Sequence, residues 1–126
     1  MKFDNSILRD VRDSLDLDPD GVEFHTDILM NINAALSTLN QAGVGLPIIV
    51  HDETLTWQDF MDVDAKHGNN SFPMVPLYVK LYSKMIFDPP PPSAVETFNT
   101  RISEMLWRLK IAYELGGFSN KGGDTT

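Results

Sequence analysis

The chain contains no cysteine, so a disulfide framework and zinc–thiolate or thiol chemistry are excluded. It also lacks an apolar run long enough to cross a bilayer and has no secretory signal pattern at its start. Only three histidines occur, without the i, i+4 pairing of a zinc-binding helix. A soluble protein made in the cytoplasm is therefore expected. No nucleophile elbow or phosphate-cradling glycine loop is found, so no enzyme activity and no cofactor are expected.

Basic residues are also scarce, since 10 Lys and Arg accompany 18 Asp and Glu, for a net charge of −8. The imbalance lies before residue 65, where thirteen acids accompany only three bases. An acidic surface repels a phosphate backbone, which makes direct DNA binding unfavourable. Ordinary solubility would explain the same net charge without any special role.

The most informative stretch is residues 73–115, which predicts two long helices joined by a proline turn. Apolar residues recur at three- and four-residue steps around the first helix, so it is expected near the centre of the fold. The helix should end at Phe87, because proline restricts the preceding residue and donates no backbone hydrogen bond. Pro89–Pro92 predicts a stiff polyproline II spacer. Ser93, with a glutamate three residues later, predicts a capping box.

The last helix carries more apolar surface than one small core needs. One stripe at helical spacing comprises Val95, Phe98, Ile102, Leu106, Leu109 and Ala112. A second stripe comprises Trp107, Ile111 and Leu115, flanked by Arg108 and Lys110. The second stripe either packs internally or forms a subunit interface, since interface centres favour aromatic residues and arginine. The interface residues predicted from the pattern are Tyr78, Tyr82, Trp107, Arg108 and Ile111.

Shorter elements are predicted before this helical hairpin. Asp4 or Asn5 caps a helix through Leu15, and a second helix runs over about residues 24–41. The β-branched run at residues 48–50 suggests a brief extended segment. Thr56 caps a single helical turn, and residues 64–72 have the composition of a mobile loop, with a cap at Asn70 or Ser71. The expectation is an all-α single domain over residues 1–115, with four to five helices, a long C-terminal helical hairpin and a flexible tail over residues 116–126.

The strongest chemical motif is the acidic turn DLDPDG at residues 16–21. Asp16, Asp18 and Asp20 occupy positions 1, 3 and 5 of a calcium loop, and a glycine follows at position 6. The motif departs from that rule at position 12, where the shorter Asp27 replaces glutamate, and no second loop exists to pair with it. A turn whose carboxylates cap a helix explains the same residues and is the preferred interpretation. His51-Asp52-Glu53 and the group Asp62, Asp64 and His67 lack any recognised ligand spacing.

Three segments carry a family resemblance: FHTDILMNINAALSTLNQAGVG, then TWQDF, then YVKLYSKMIFDPP followed by SAVETFNTRISEMLWRL. In this order and spacing, over about residues 5–115, the chain resembles the small head–tail connector proteins of long-tailed bacteriophages, also called neck, adaptor or head-completion proteins. The resemblance implies a helical fold and a ring of subunits, commonly twelve, beneath the portal vertex. DNA passes through the centre of such a ring, and no catalysis is implied. The run of four prolines is longer than expected, which leaves the subfamily open.

The resemblance also gives the acidic half of the chain a possible purpose, because a negative tunnel lining repels DNA and prevents it from sticking. The lining residues implied are Asp13, Asp16, Asp18 and Asp20. The implied partners are other copies of the chain, the portal protein and a downstream neck or tail protein, with no membrane. The implied location is the virion, and the host cytoplasm during assembly. The tail after Gly116 would become ordered against one of these partners.

Three alternative functions are compatible with the sequence. A tail terminator or other phage structural protein would form a hexameric ring. A small DNA-binding regulator or packaging subunit would use the first two helices as a helix-turn-helix, although the acidic turn would then face the phosphates. A calcium-dependent binding module would use Asp16, Asp18, Asp20 and Asp27 as ligands.

Overall fold

The computed structural model describes residues 6–44, 48–63 and 74–125, with side chains described up to Glu114 except at residues 61–63. Its five helices are α1 (Ile7–Ser14), α2 (His25–Gln41), α3 (Trp57–Val63), α4 (Met74–Phe87) and α5 (Pro92–Thr125). Within these ranges there is no strand, and the single extended contact is an isolated bridge between Ser6 and Thr56. The predicted all-α fold of four to five helices with a long C-terminal hairpin is confirmed.

Helix α4 lies at the centre of the fold, because it packs against α1, α2 and α5. Val75, Tyr78 and Val79 of α4 are buried, and they join Ile28 and Ile32 of α2 in one apolar core. Each fully buried side chain of this kind contributes about 1.5–3 kcal/mol through its removal from water. The central position predicted from the apolar character of this helix is therefore correct.

The start of α1 differs from the expectation. Ser6 is the N-cap, and its hydroxyl accepts a hydrogen bond from the backbone N–H of Arg9 at 3.3 Å. Asp4 and Asn5, which the sequence suggested as caps, lie outside the described residues. The N–H of Ile7 donates to the carbonyl oxygen of Leu55 at 2.9 Å, which ties the start of α1 to the segment before α3.

The cap of α3 is confirmed and is reciprocal. The backbone N–H of Asp59 donates to the Thr56 hydroxyl at 3.1 Å, and the N–H of Thr56 donates to the Asp59 carboxylate at 3.0 Å. This pair satisfies two donors that the first turn of a helix leaves free. The helix continues to Val63, so it is longer than the single turn expected.

Residues 48–50 form no strand, but the backbone of Val50 is hydrogen-bonded by a side chain of α2. Asn33 of α2 accepts from the N–H of Val50 at 2.8 Å and donates to its carbonyl oxygen at 2.9 Å. One amide side chain thus satisfies both backbone groups of Val50, as a neighbouring strand would. The segment is consequently fastened to α2.

The proline corner is shorter than the sequence suggested. Helix α4 ends at Phe87, as predicted, and the N–H of Asp88 still donates to the carbonyl oxygen of Lys84 at 2.8 Å. The non-helical spacer ends before Pro92, because Pro92 is already the first residue of α5. Proline is favoured at that position, since its missing N–H would have no partner there. Ser93 therefore lies inside the first turn, and its assignment as the cap was wrong.

Two further predictions fall on residues 64–72 and on the end of α5, for which the structure describes no side chains. The mobile loop at residues 64–72 and the caps Asn70 and Ser71 lie outside the described residues. The helix bounds of α5 extend to Thr125, across the stretch from residue 116 that the sequence assigned to a flexible tail. The division into a domain over residues 1–115 and a flexible tail stays a prediction.

Candidate interaction surfaces

The acidic turn after α1 is built around Arg12, whose side chain is only 1% exposed. Its Nε donates to the carbonyl oxygen of Asp18 at 2.8 Å, and its Nη1 donates to that of Glu23 at 2.6 Å. Its Nη2 also pairs with the Glu23 carboxylate at 3.0 Å. Because the guanidinium uses backbone oxygens on both sides of the turn, it fixes the path of the chain from α1 into α2.

The expected capping role of the turn needs correction. The N-cap of α2 is Phe24, which makes no side-chain capping bond, so the aspartates of the turn do not cap this helix. Asp18 instead accepts from the N–H of Asp20 at 3.0 Å, and the Asp20 carboxylate pairs with Arg9 at 2.8 Å. Asp27 does lie in the first turn of α2, where a negative charge interacts favourably with the helix dipole.

The candidate metal ligands that the structure describes are not gathered into a site, while Asp64, His67 and the side chain of Asp62 lie outside the described residues. In the described part of the chain, no group of three or more His, Asp or Glu side chains is arranged to hold a metal ion. In the segment after His51, the Asp52 carboxylate accepts two hydrogen bonds from Thr54, one from its hydroxyl at 2.6 Å and one from its backbone N–H at 2.8 Å. These two bonds lower the pKa of the Asp52 carboxyl below its usual range. They are typical of a local turn.

The acids proposed to line a DNA tunnel share one region of the surface. Asp13 lies near the end of α1, and Asp16, Asp18 and Asp20 follow in the turn, all exposed. Asp16 adopts a left-handed backbone, with φ of 63°, which aspartate tolerates better than most residues. The described residues offer no ion pair to Asp13 or Asp16, so both charges face solvent.

Among the predicted interface residues, Tyr78 has to be reassigned. It is 1% exposed in the single chain and belongs to the core between α4 and its neighbours. Burial raises the pKa of Tyr78 to about 12, with a smaller contribution from the nearby Tyr82. Tyr82 is half-buried, packs against the core and lies 6.0 Å from Tyr78 between ring centroids. The apolar stripe that contains Tyr78 on α4 therefore faces the core and is not an interface.

Trp107 is placed differently, with 60% of its surface exposed on α5. The core-facing side of the same helix carries Leu109 and Tyr113, which are buried. Arg108 is exposed beside Trp107, and Ile111, one turn further on, is half-buried. The question left open by the sequence is thus answered for Trp107, which is outside the core of its own chain. We call Trp107, Arg108 and Ile111 the tryptophan surface.

A second exposed apolar region was missed by the sequence reasoning. Val22 is 79% exposed and Phe24 is 55% exposed, immediately before α2. The Phe24 ring packs edge-on against Phe87 of α4, with centroids 5.0 Å apart. We call Val22, Phe24 and Phe87 the corner patch. The sequence signal was the apolar residue in place of a polar cap before α2.

The structure leaves Trp107 and Phe24 largely exposed, and exposed apolar side chains that form a large contiguous patch mark sites of contact with other proteins. The family model for phage connector proteins matches residues 7–116, which is most of the chain. The chain therefore belongs to the phage connector protein family, whose role in the virus particle is structural. Searches of curated proteins and of solved structures find no match. No helix in the described ranges has the length and apolar character needed to cross a membrane.

Proposed function

We propose that this connector forms a ring at the portal vertex, between the portal protein and a downstream neck or tail protein, with the genome passing through its centre. Twelve copies are expected from the resemblance to head–tail connectors. The protein acts by assembly, without catalysis or cofactor. The observation that carries the proposal is the exposure of Trp107 on the outer side of α5, within the residues matched by the connector family.

The energetics of that side chain support a docking role. A tryptophan buries up to about 250 Å², so covering the 60% that is exposed removes up to about 150 Å² from water and contributes up to about 4 kcal/mol. Association costs at least about 4 kcal/mol in lost freedom of movement, so one tryptophan alone does not hold two subunits together. Ile111 and the stem of Arg108 lie next to it and extend the area that a neighbour would cover.

The exposed aspartates support the second part of the proposal, a DNA path that does not bind DNA. Asp13 and Asp16 face solvent without an ion pair in the described part of the chain, and Asp18 lies between them and Asp20. Negative side chains on a tunnel wall repel the phosphates, which keeps the moving genome away from the wall. Replacing Asp13 and Asp16 by lysine would reverse this effect, because lysines bind phosphates with release of counterions.

The proposal is tested by mixing the purified full chain with the portal protein of the same phage and imaging the product by electron microscopy. We expect a ring coaxial with the portal, with about twelvefold symmetry. Sixfold rings would favour a tail terminator instead. A chain that never associates with the portal, in particles or in solution, contradicts the proposal.

The tunnel lining is tested in the assembled phage. We expect the variant Asp13→Lys with Asp16→Lys to assemble normally but to eject DNA more slowly, most strongly at low salt. The control Glu53→Lys changes an exposed acid in the segment before α3 and should eject at the normal rate. Normal ejection by the double variant would show that these carboxylates lie away from the DNA.

A further inference from the structure

The corner patch is held at the surface by a strained backbone. Phe24 has a φ of 56°, in the left-handed region that bulky residues rarely adopt. Such a conformation costs about 1–3 kcal/mol and is found mainly at functional positions. Here the strain does not bury the ring, since 55% of Phe24 remains exposed beside Val22. An unfavourable backbone conformation and a largely exposed aromatic ring thus coincide at Phe24.

The corner patch and the tryptophan surface lie apart on the molecule. Phe24 contacts Phe87, the last residue of α4, so the corner patch is next to the proline corner. Trp107 is fifteen residues beyond Pro92, the first residue of α5. At 1.5 Å per residue this places Trp107 about 22 Å along the helix from its start. One neighbouring subunit cannot cover both surfaces with a single small contact, so they are two separate apolar surfaces.

Their charges are complementary. Arg108 and Lys110 flank Trp107, are both exposed, and form no ion pair with the residues that the structure describes. One exposed acid, Glu104, also lines the groove beside Trp107, so the two bases outnumber the acid at this surface. Asp27 follows Phe24 by three residues, is exposed, and likewise has no ion pair there. The side chain of Glu23, between Val22 and Phe24, is 63% exposed although it pairs with Arg12. An apolar surface with a basic edge thus exists alongside one with an acidic edge.

A closed ring needs two different surfaces that fit each other, because each subunit uses one surface towards each of its two neighbours. We propose that the tryptophan surface of one copy docks on the corner patch of the next copy, with Trp107 against Phe24 and Val22. Arg108 then lies opposite Asp27 of the neighbouring copy. This inference rests on the proposed ring and specifies which surfaces form its subunit contact.

The absence of cysteine allows a direct test by cross-linking. We would introduce Val22→Cys and Glu104→Cys together in the full chain, which keeps Trp107 in place and labels one exposed position near each surface. Assembled rings are treated with a short bismaleimide and separated under denaturing conditions. We expect a ladder of covalent multimers from the double variant and only monomers from either single variant, because a head-to-tail contact never brings two identical positions together.

The other outcomes separate this inference from the proposed function. Rings that form without the ladder would overturn the docking of these two surfaces and leave the ring itself intact. Cross-linked dimers from Val22→Cys alone would indicate a two-fold contact of the corner patch with itself and would also overturn it. A chain that forms no ring under any condition, including with portal, would overturn both.

A charge exchange provides a second, independent test. We expect Arg108→Glu and Asp27→Lys each to weaken self-association about tenfold, which corresponds to about 1.4 kcal/mol. The double variant should recover most of the loss, because the opposite charges again face each other. Melting temperatures of all three variants establish that the fold is retained. Losses that simply add in the double variant would overturn the pairing of these two residues.

Discussion

Trp57 and Asp10, 47 residues apart in the chain, are joined by a hydrogen bond in which the indole Nε1–H donates to the Asp10 carboxylate at 2.8 Å. The same carboxylate oxygen forms an ion pair with the Lys80 ammonium group at 2.8 Å. One aspartate of α1 thereby links α3 and α4, and it does so beside the fully buried indole ring of Trp57. The arrangement satisfies the only polar atom of that ring.

Asp10→Ala should destabilise the fold by about 1–3 kcal/mol, because it leaves the buried indole N–H without an acceptor. Asp10→Asn keeps an acceptor and should lose less. The matched control is Asp13→Ala, since Asp13 is exposed on the same helix and should change stability by less than about 0.5 kcal/mol. Urea unfolding measures all three. Equal stability of Asp10→Ala and Asp13→Ala would argue against the link.

Arg12→Lys should cost about 1.5–3 kcal/mol, because an ammonium group cannot reach the two carbonyl oxygens and the carboxylate that the guanidinium contacts. Arg9→Lys is the control, since Arg9 is half-exposed and its ion pair with Asp20 lies on the surface. Thermal unfolding should therefore separate the two variants by several degrees. A similar melting temperature for both would mean that the turn does not depend on Arg12.

Thr56→Ala should cost about 1 kcal/mol, the usual effect of losing an N-cap. Thr56→Ser retains the hydroxyl that accepts from Asp59 and should remain close to the wild type. The comparison is made by chemical denaturation at neutral pH. If serine is as destabilising as alanine, the methyl group rather than the cap supports α3.

Stability should decline between pH 10 and 12 because of Tyr78. The pKa of this tyrosine is raised from 10.0 to about 12 by burial, so the folded chain keeps its proton where the unfolded chain loses it. The contribution is complete below pH 10 and falls as the pH rises towards 12. Tyr78→Phe should flatten this part of the stability curve, whereas Tyr82→Phe should retain it. An unchanged alkaline decline in Tyr78→Phe would assign the effect to other groups.

Helix positions were predictable because they follow from local rules. The three- and four-residue spacing of Ile32, Ala35 and Leu39 identifies α2. The prolines after Phe87 end α4 whatever the helix packs against. The exact cap of α5 was not predictable, because Pro92 and Ser93 are both acceptable near a helix start. Only the geometry of the corner decides between them.

Which apolar side chains are exposed depends on tertiary contacts, and the spacing of residues along the sequence does not determine these contacts. Tyr78 and Trp107 both belong to apolar stripes, yet Tyr78 is buried and Trp107 is exposed. Among the described residues, α4 packs against α1, α2 and α5, whereas the main contact of α5 is with α4. Arginine is usually exposed, so the burial of Arg12 could not be read from its identity. The left-handed backbone of Phe24 cannot be derived from the sequence, where the apolar residue in place of a polar cap before α2 is the one signal of the corner patch.

The most direct test of assembly through the tryptophan surface compares two variants, Trp57→Ala and Trp107→Ala. For each variant, the mass of the assembly and the thermal unfolding are measured. Trp57→Ala should lose about 3–5 kcal/mol of stability, because Trp57 is buried in the core. Trp107→Ala should melt as the wild type does, yet fail to form the ring of about twelve 14.1 kDa chains. Trp107→Ala chains that form the same ring with the same affinity as the wild type would contradict assembly through the tryptophan surface.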